Sequence, residues 1–124
     1  VADLLLEATN DNEKEAFCLL LFLLRNRHLS CLYETKLPIL SLYMDVFEYQ
    51  LENRLPALAA KLKKEGFIVP YYAIEWFTTC FTLYVPLTLT KAIFELWLAG
   101  LDNIFVRVGM YITIMCLCMD VKVY

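Results

Sequence analysis

The chain has 124 residues, enough for one domain with a real core and too few for two. Its net charge of −3 and pI near 5.1 argue against nucleic-acid binding, which needs a basic face. Hydrophobic residues make up 60% of it and the mean hydropathy is +0.56, so a membrane span has to be tested first. The longest charge-free run, Trp76 to Thr90, has fifteen residues and includes Thr78, Thr79, Thr82 and Pro86; the next, Val108 to Met119, has twelve. A spanning helix needs about 20 apolar residues, so the composition predicts buried helices instead.

Val1 to Ala8 (VADLLLEA) is helical in pattern from its first residue, which implies the tail of a longer helix and a piece of a longer protein. Thr9, Asn10, Asp11 and Asn12 are turn and N-cap types. Glu13 and Glu15 then place negative charge in the first turn of a second helix, about Asp11 to Arg25. Its stretch Ala16 to Leu24 is apolar all round, the mark of a helix inside a bundle. Asn26 to Lys36 is the longest polar interruption and reads as a surface loop. Pro38 suits the start of a third helix with Leu40, Tyr43, Phe47, Tyr49 or Gln50, and Leu51 inward. After a break at Asn53 to Pro56, a short helix from Ala57 to Glu65 turns Leu58 and Leu62 inward, and Gly66 stops it. The basic run Lys61, Lys63, Lys64 sits at its end, where cations favour the helix dipole.

Gly66 to Phe105 holds both tryptophans and reads as the keel of the domain. Large side chains recur at helical spacing: Tyr72, Trp76 or Phe77, Thr79 or Cys80, and Leu83, then Leu89, Ile93, Leu96 and Trp97 beyond Pro86. This predicts two helices, about Tyr71 to Tyr84 and Leu87 to Ala99, packed through Trp76 and Phe77 against Phe94 and Trp97. Gly100 to Asn103 turns the chain. A last helix from Ile104 to Cys118 has Phe105, Val108, Tyr111, Ile112 and Met115 inward, against the β-propensity of the run Val106 to Ile114. The sum is an all-α fold of six or seven helices over 1–124, a single domain or a fragment. The high apolar fraction predicts a face covered by an absent half, another subunit or a symmetric copy; the alternative is a complete, merely apolar domain.

No constellation marks an active site. His28, the only histidine, stands three residues before Cys31, but a structural zinc site needs four ligands. Cys116 and Cys118 point to different helix faces. The five cysteines lack CxxC spacing, and four lie in apolar runs where a thiol serves as a small hydrophobe, so a reducing, intracellular setting is expected. Asp45, Glu48 and Glu52 lie one turn apart and could chelate a metal, yet no histidine is available for a carboxylate di-metal bundle, and a solvated face is the expectation. The glycines, at 66, 100 and 109, form no phosphate loop. No catalytic, cofactor-binding or metal residue is assigned, and no cofactor.

The order of signals does resemble a known family. Glu75-Trp-Phe-Thr-Thr-Cys-Phe81, Val85-Pro-Leu87, Ala92-Ile-Phe-Glu95, Ala99-Gly100 and Ile104-Phe105 resemble the C-terminal half of TBC domains. These are the all-helical GTPase-activating domains for Rab-type small GTPases. Glu15-Ala-Phe17 and Leu55-Pro-Ala-Leu58 fit it too, and Val1 to Glu7 looks like the helix after the family's glutamine motif. Where the family has Arg-x-Trp-Asp this chain has Ala92 to Glu95, and Ala99 replaces a glutamate, so a buried charge pair of the family core is expected to be absent. The catalytic motifs, Ile-x-x-Asp-x-x-Arg and Tyr-x-Gln, do not occur; Gln50 follows Phe47-Glu-Tyr far downstream.

In such domains an inserted arginine is worth about 10³–10⁵ in rate and a glutamine orients water. Arg25, Arg27, Arg54 and Arg107 stand in no finger context. The resemblance therefore implies a TBC-like interaction or scaffold module without fingers, not itself an enzyme. The alternative is the C-terminal half of an active Rab-activating domain whose catalytic residues lie upstream of Val1. It implies a Rab-type GTPase or other protein subunits as partners, and a cytoplasmic place that allows peripheral attachment to endomembranes. A membrane-associated helical protein is a distant third reading, suggested by composition alone.

Overall fold

The computed structural model describes residues 1–101 and 103–118, without the side chains of Leu117 and Cys118. Among the described residues there are seven α-helices, one 3-10 helix and no strand. They are α1 (Ala2–Ala8), α2 (Glu13–Asn26), the 3-10 helix (Leu29–Tyr33), α3 (Pro38–Arg54), α4 (Pro56–Lys64), α5 (Val69–Thr78), α6 (Leu87–Leu98) and α7 (Ile104–Cys118). The β-branched run Val106 to Ile114 is helical, because packing on α3, α5 and α6 outweighs a propensity difference worth under about 1 kcal/mol per residue.

The helix starts follow local chemistry. The Asn12 side-chain oxygen accepts from the Glu15 N–H at 3.3 Å and caps α2. Pro38, Pro56 and Pro70 occupy first-turn positions of α3, α4 and α5, where no intrahelical N–H is needed. Gly66 takes φ 80° just past α4. Its N–H donates to the Lys63 carbonyl and that of Phe67 to the Leu62 carbonyl, closing the helix end.

The centre lies elsewhere than the sequence suggests. α3, not the 66–105 hairpin, touches the most elements: the 3-10 helix, α4, α5 and α7. Phe47 on α3 is fully buried, and its ring meets Tyr72 and Phe77 edge-on at 6.3 and 6.0 Å. Gly109 on α7 has no side chain there; a Cβ would stand 3.0 Å from the Phe47 ring. The expected packing of Trp76 and Phe77 on Phe94 and Trp97 is not direct. Phe105 of α7 stands between, 6.4 Å from Phe77, 5.9 Å from Phe81 and 4.7 Å from Trp97. Trp76, Phe77, Phe81 and Trp97 are all buried as expected.

α5 ends at Thr78, six residues before the expected Tyr84. Thr78 and Thr79 turn their hydroxyls onto the carbonyls of Ile74 and Glu75, competing with the helical pattern at its last turn. Cys80 and Phe81 then adopt left-handed φ values of 50° and 63°. Such a conformation costs about 1–2 kcal/mol per residue, and the burial of Phe81 against Trp76, Phe77 and Phe105 offsets it. The tight turn carries Leu83 outward, 76% exposed, instead of into the stripe.

Other departures share one cause: a helix with an apolar circumference buries only the sides its neighbours reach. On α2, Leu23 is buried while Phe17 is 59% exposed. On α3 the inward set is Leu40, Met44, Phe47 and Leu51, with Tyr49 outside. On α6, Thr90, Ile93, Phe94 and Trp97 face in, and Leu89 and Leu96 face out. On α7, Ile104, Phe105, Val106 and Thr113 are buried, Val108 and Ile112 half-buried, and Tyr111 and Met115 exposed. On α4, Leu62 is buried with Ala59, and Leu58 is half-buried. The polar stretch 26–36 is no plain loop, since its 3-10 helix buries Leu29 and Leu32. Gly100 turns with φ 110°, as expected of the segment after α6; Asp102 of that turn lies outside the described residues.

Two substitutions test the centre. Gly109→Val drives methyl groups into the Phe47 ring, which Tyr72 and Phe77 hold in place, and should cost about 1–3 kcal/mol in urea unfolding of the full chain. A variant with an unchanged midpoint would refute the close approach. Burial pushes the Tyr72 phenol up to about 12, against a weaker opposing pull from Thr113; the Thr113 hydroxyl is itself turned onto the Gly109 carbonyl, so among the described residues the phenol makes no well-formed hydrogen bond. The raised folded value means stability intact below pH ~10 and falling between ~10 and 12, where only the unfolded chain ionises. Tyr72→Phe should be neutral or stabilising by about 1 kcal/mol at pH 7 and should lessen that alkaline loss. Melting followed against pH would check both.

Candidate functional site

The four arginines are the residues to place first, because transition-state charge in GTP hydrolysis is met by a guanidinium. Arg25 lies exposed in the last turn of α2. Arg27, just past that helix, reaches across to α6, where its Nη2 donates to the Leu98 carbonyl at 3.0 Å. The carbonyls at a helix C-terminus carry partial negative charge, so the cation is well placed there. Gly100 leaves room for it: a Cβ at that position would lie 3.1 Å from Arg27 Nη2. Arg27 is thus a tie between α2 and the end of α6.

Arg54 and Arg107 meet in one place. Both line a cleft of about 660 Å³ between α3 and α7, together with Gln50, Asn103 and Tyr111. Arg54 Nε donates to Gln50 Oε1 at 2.8 Å, one turn back on α3. Among the described residues no carboxylate pairs with Arg107. Positions 50 and 107 are joined only by the packing of α3 on α7, and no local pattern signals that.

The other candidates are occupied structurally. His28 takes a left-handed φ of 55° at the head of the 3-10 helix, and its carbonyl accepts from the Cys31 N–H at 3.0 Å. The carboxylate of Glu34, hydrogen-bonded to the Cys31 thiol, holds that thiol above its usual range, the reverse of what an activated nucleophile needs. Lys63 of α4 engages Glu48 at 3.4 Å and, more closely, Glu52, so these two carboxylates clamp α4 to α3 while Asp45 lies exposed. Glu52 is the main reason the Lys63 ammonium holds its proton above the ordinary range. On α6, Ala92 and Glu95 are exposed and Ile93 and Phe94 buried. The two positions where the Arg-x-Trp-Asp motif has its charges, Ala92 and Glu95, therefore lie at the surface, and Phe94 keeps an aromatic in the core in place of the motif's tryptophan, 5.7 Å from Trp97. Glu75 accepts from the Tyr84 hydroxyl across the turn that ends α5. The Cys118 side chain of the Cys116-x-Cys118 pair lies outside the described residues.

The model of the Rab-GTPase-TBC domain matches residues 1–117. This chain belongs to that family. Among curated relatives, the human ecotropic viral integration site 5 protein homolog is 33% identical over 99 residues, covering 79% of this chain and 12% of the relative. The Caenorhabditis elegans Rab GTPase-activating protein eat-17 is 35% identical over 94 residues, 75% of this chain and 11% of the relative. The Saccharomyces cerevisiae GTPase-activating protein GYP5 is 36% identical over 86 residues, 69% of this chain and 10% of the relative. The chain thus spans about an eighth or less of the relatives it matches. No solved structure gives a significant match. No helix among the described residues is long and apolar enough to cross a membrane.

The TBC-family core predicts a sharp order of thiol reactivity. Burial pushes the Cys80 thiol up to about 12 and it has no exposed surface, whereas Cys18 is exposed. In the native chain at pH 8 a maleimide should label Cys18 readily and leave Cys80 unmodified until denaturant is added. Mass spectrometry of tryptic peptides reads this out, and early labelling of Cys80 would contradict the buried turn.

Proposed function

We propose that this chain is the C-terminal part of a TBC-type domain and acts as a protein-interaction and scaffold module, contributing neither an arginine nor a glutamine finger. The observation that carries the reading is how much large apolar surface stays outside the core. Tyr71 is 79% exposed, and Ile74 lies one turn on; Leu42, Val46 and Tyr49 share the outer face of α3. Solvated faces of lone monomers rarely carry so many large apolar side chains, and such surface marks contact with other protein. The engagement of Arg27 at the end of α6 supports the absence of a finger in the 26–36 segment. The partner class follows from the family: a Rab-type small GTPase or other subunits, which would bring the protein to the cytoplasmic face of endomembranes.

A second reading is supported by the match to Rab GTPase activators. In it the chain is the C-terminal half of an active domain, with the arginine and glutamine supplied upstream of Val1. The segments around Trp76 and Pro86 that resemble the family then serve as scaffold beneath the GTPase.

Single-turnover hydrolysis with a panel of GTP-loaded Rab proteins separates the readings. The 124 residues should give no acceleration. Acceleration by them would overturn the proposal, and Arg25→Ala and Arg27→Ala would then locate the finger. Acceleration by a longer parent carrying Ile-x-x-Asp-x-x-Arg and Tyr-x-Gln would establish the second reading. Sedimentation of the chain alone should show self-association; a well-behaved, cooperatively melting monomer would contradict the interaction role.

A further inference from the structure

The cleft between α3 and α7 combines features that the family assignment does not use. On α3 it is lined by Val46, Gln50 and Arg54, each one turn from the next, and on α7 the lining runs from Val106 to Ile114, with Asn103 just before that helix. At 1.5 Å per residue each span is about 12 Å, so the cleft is a trough about two turns long and not a round pocket. Its apolar lining comes from Val46 at the outer rim and from Leu55, Val106, Met110 and Ile114. Arg54 and Arg107 line it as well, with no Asp or Glu among the lining residues, although the chain as a whole carries a net charge of −3. A local excess of two positive charges on an acidic chain is a specific electrostatic signal. Gln50 holds the Arg54 guanidinium in place, which lowers the entropy lost when it binds an anion.

We propose that this trough docks an acidic amphipathic helix of a partner protein. Apolar side chains at i, i+3 and i+4 would enter between α3 and α7, and flanking glutamates or aspartates would meet Arg54 and Arg107. A planar guanidinium takes a carboxylate through two parallel N–H bonds, so each arginine fixes register as well as charge. Tyr111, 60% exposed beside Arg107 in the cleft lining, supplies an amphipathic side chain of the kind that anchors interfaces. This specifies one partner chemistry for the interaction role proposed above, and its test needs no GTPase, so either can fail without the other.

The test is fluorescence anisotropy of the full chain against a fluorescein-labelled helical peptide of about four turns, with leucines at i, i+3, i+4 and i+7 and glutamates flanking them. Saturable binding is expected that weakens with salt. Arg54→Glu and Arg107→Glu should each weaken it at least about tenfold, the size of one lost charge-assisted contact. Both side chains are exposed, so far-ultraviolet circular dichroism should be unchanged, and Arg54→Lys should restore part of the affinity in place of Arg54→Glu. A peptide with lysines for the glutamates should not bind. Absence of saturable binding, equal binding of the lysine peptide, or equal binding by the arginine variants would each overturn the proposal. So would an arginine-dependent affinity for phosphatidylserine vesicles without affinity for the peptide, which would make the trough a membrane-facing site.

Discussion

The Phe47 ring comes to 3.0 Å from where a Cβ of Gly109 would stand, so α3 meets α7 there through the Phe47 ring alone, with no side chain from α7 in the way. That approach sets the depth of the core. With Phe47 pressed on the α7 backbone, its edges are free for Tyr72 and Phe77, and α5 is drawn onto the same point. Phe105, one turn before Gly109 on α7, then bridges Phe77 and Phe81 to Trp97 of α6. The aromatic cluster is continuous through four helices because one residue on α7 has no side chain and another, four positions earlier, has a large one.

A second constraint works at the end of α5. The left-handed pair Cys80 and Phe81 breaks the helix and drops Phe81 into the cluster. The exposed backbone ends of that break are still satisfied: the Phe81 N–H donates to the Trp76 carbonyl at 2.7 Å, and the Tyr33 hydroxyl donates to the Thr78 carbonyl at 2.6 Å. The 3-10 helix is therefore more than a connection, since its last residue closes a helix 45 positions away. Outer ties are weaker. Lys91 of α6 pairs with Glu7 of α1 at 3.0 Å on the surface, a contact worth at most about 1 kcal/mol.

The proposed interaction role rests on surfaces. Four of its cations have a place in that picture. Arg27 secures the end of α6, Lys63 secures α4 on α3, and Arg54 and Arg107 are left to face outward from the α3–α7 trough. The large apolar side chains left outside the core are the kind of surface that contact with other protein covers, which is what the proposed role draws on.

The sequence by itself determined the fold class, the number of helices, most of their starts and the family. Those features rest on local chemistry: the Asn12 cap, prolines in first turns, the Gly66 stop and the helical recurrence of apolar residues. It also singled out Trp76, Phe77, Phe81 and Trp97 as core. Which other faces are buried was decided only by the tertiary structure, because 60% apolar composition leaves most helices with more than one face that could turn inward. Leu83, Leu89, Leu96, Tyr111 and Met115 lost that competition to Phe81, Ile93, Phe105 and Thr113. The early end of α5 was equally hidden, since threonine back-bonding and a buried left-handed turn depend on what Phe81 meets across the core. The cleft was hidden most completely. Gln50 and Arg107 stand 57 positions apart in the chain, and what brings them together is a glycine small enough for Phe47 to reach past it.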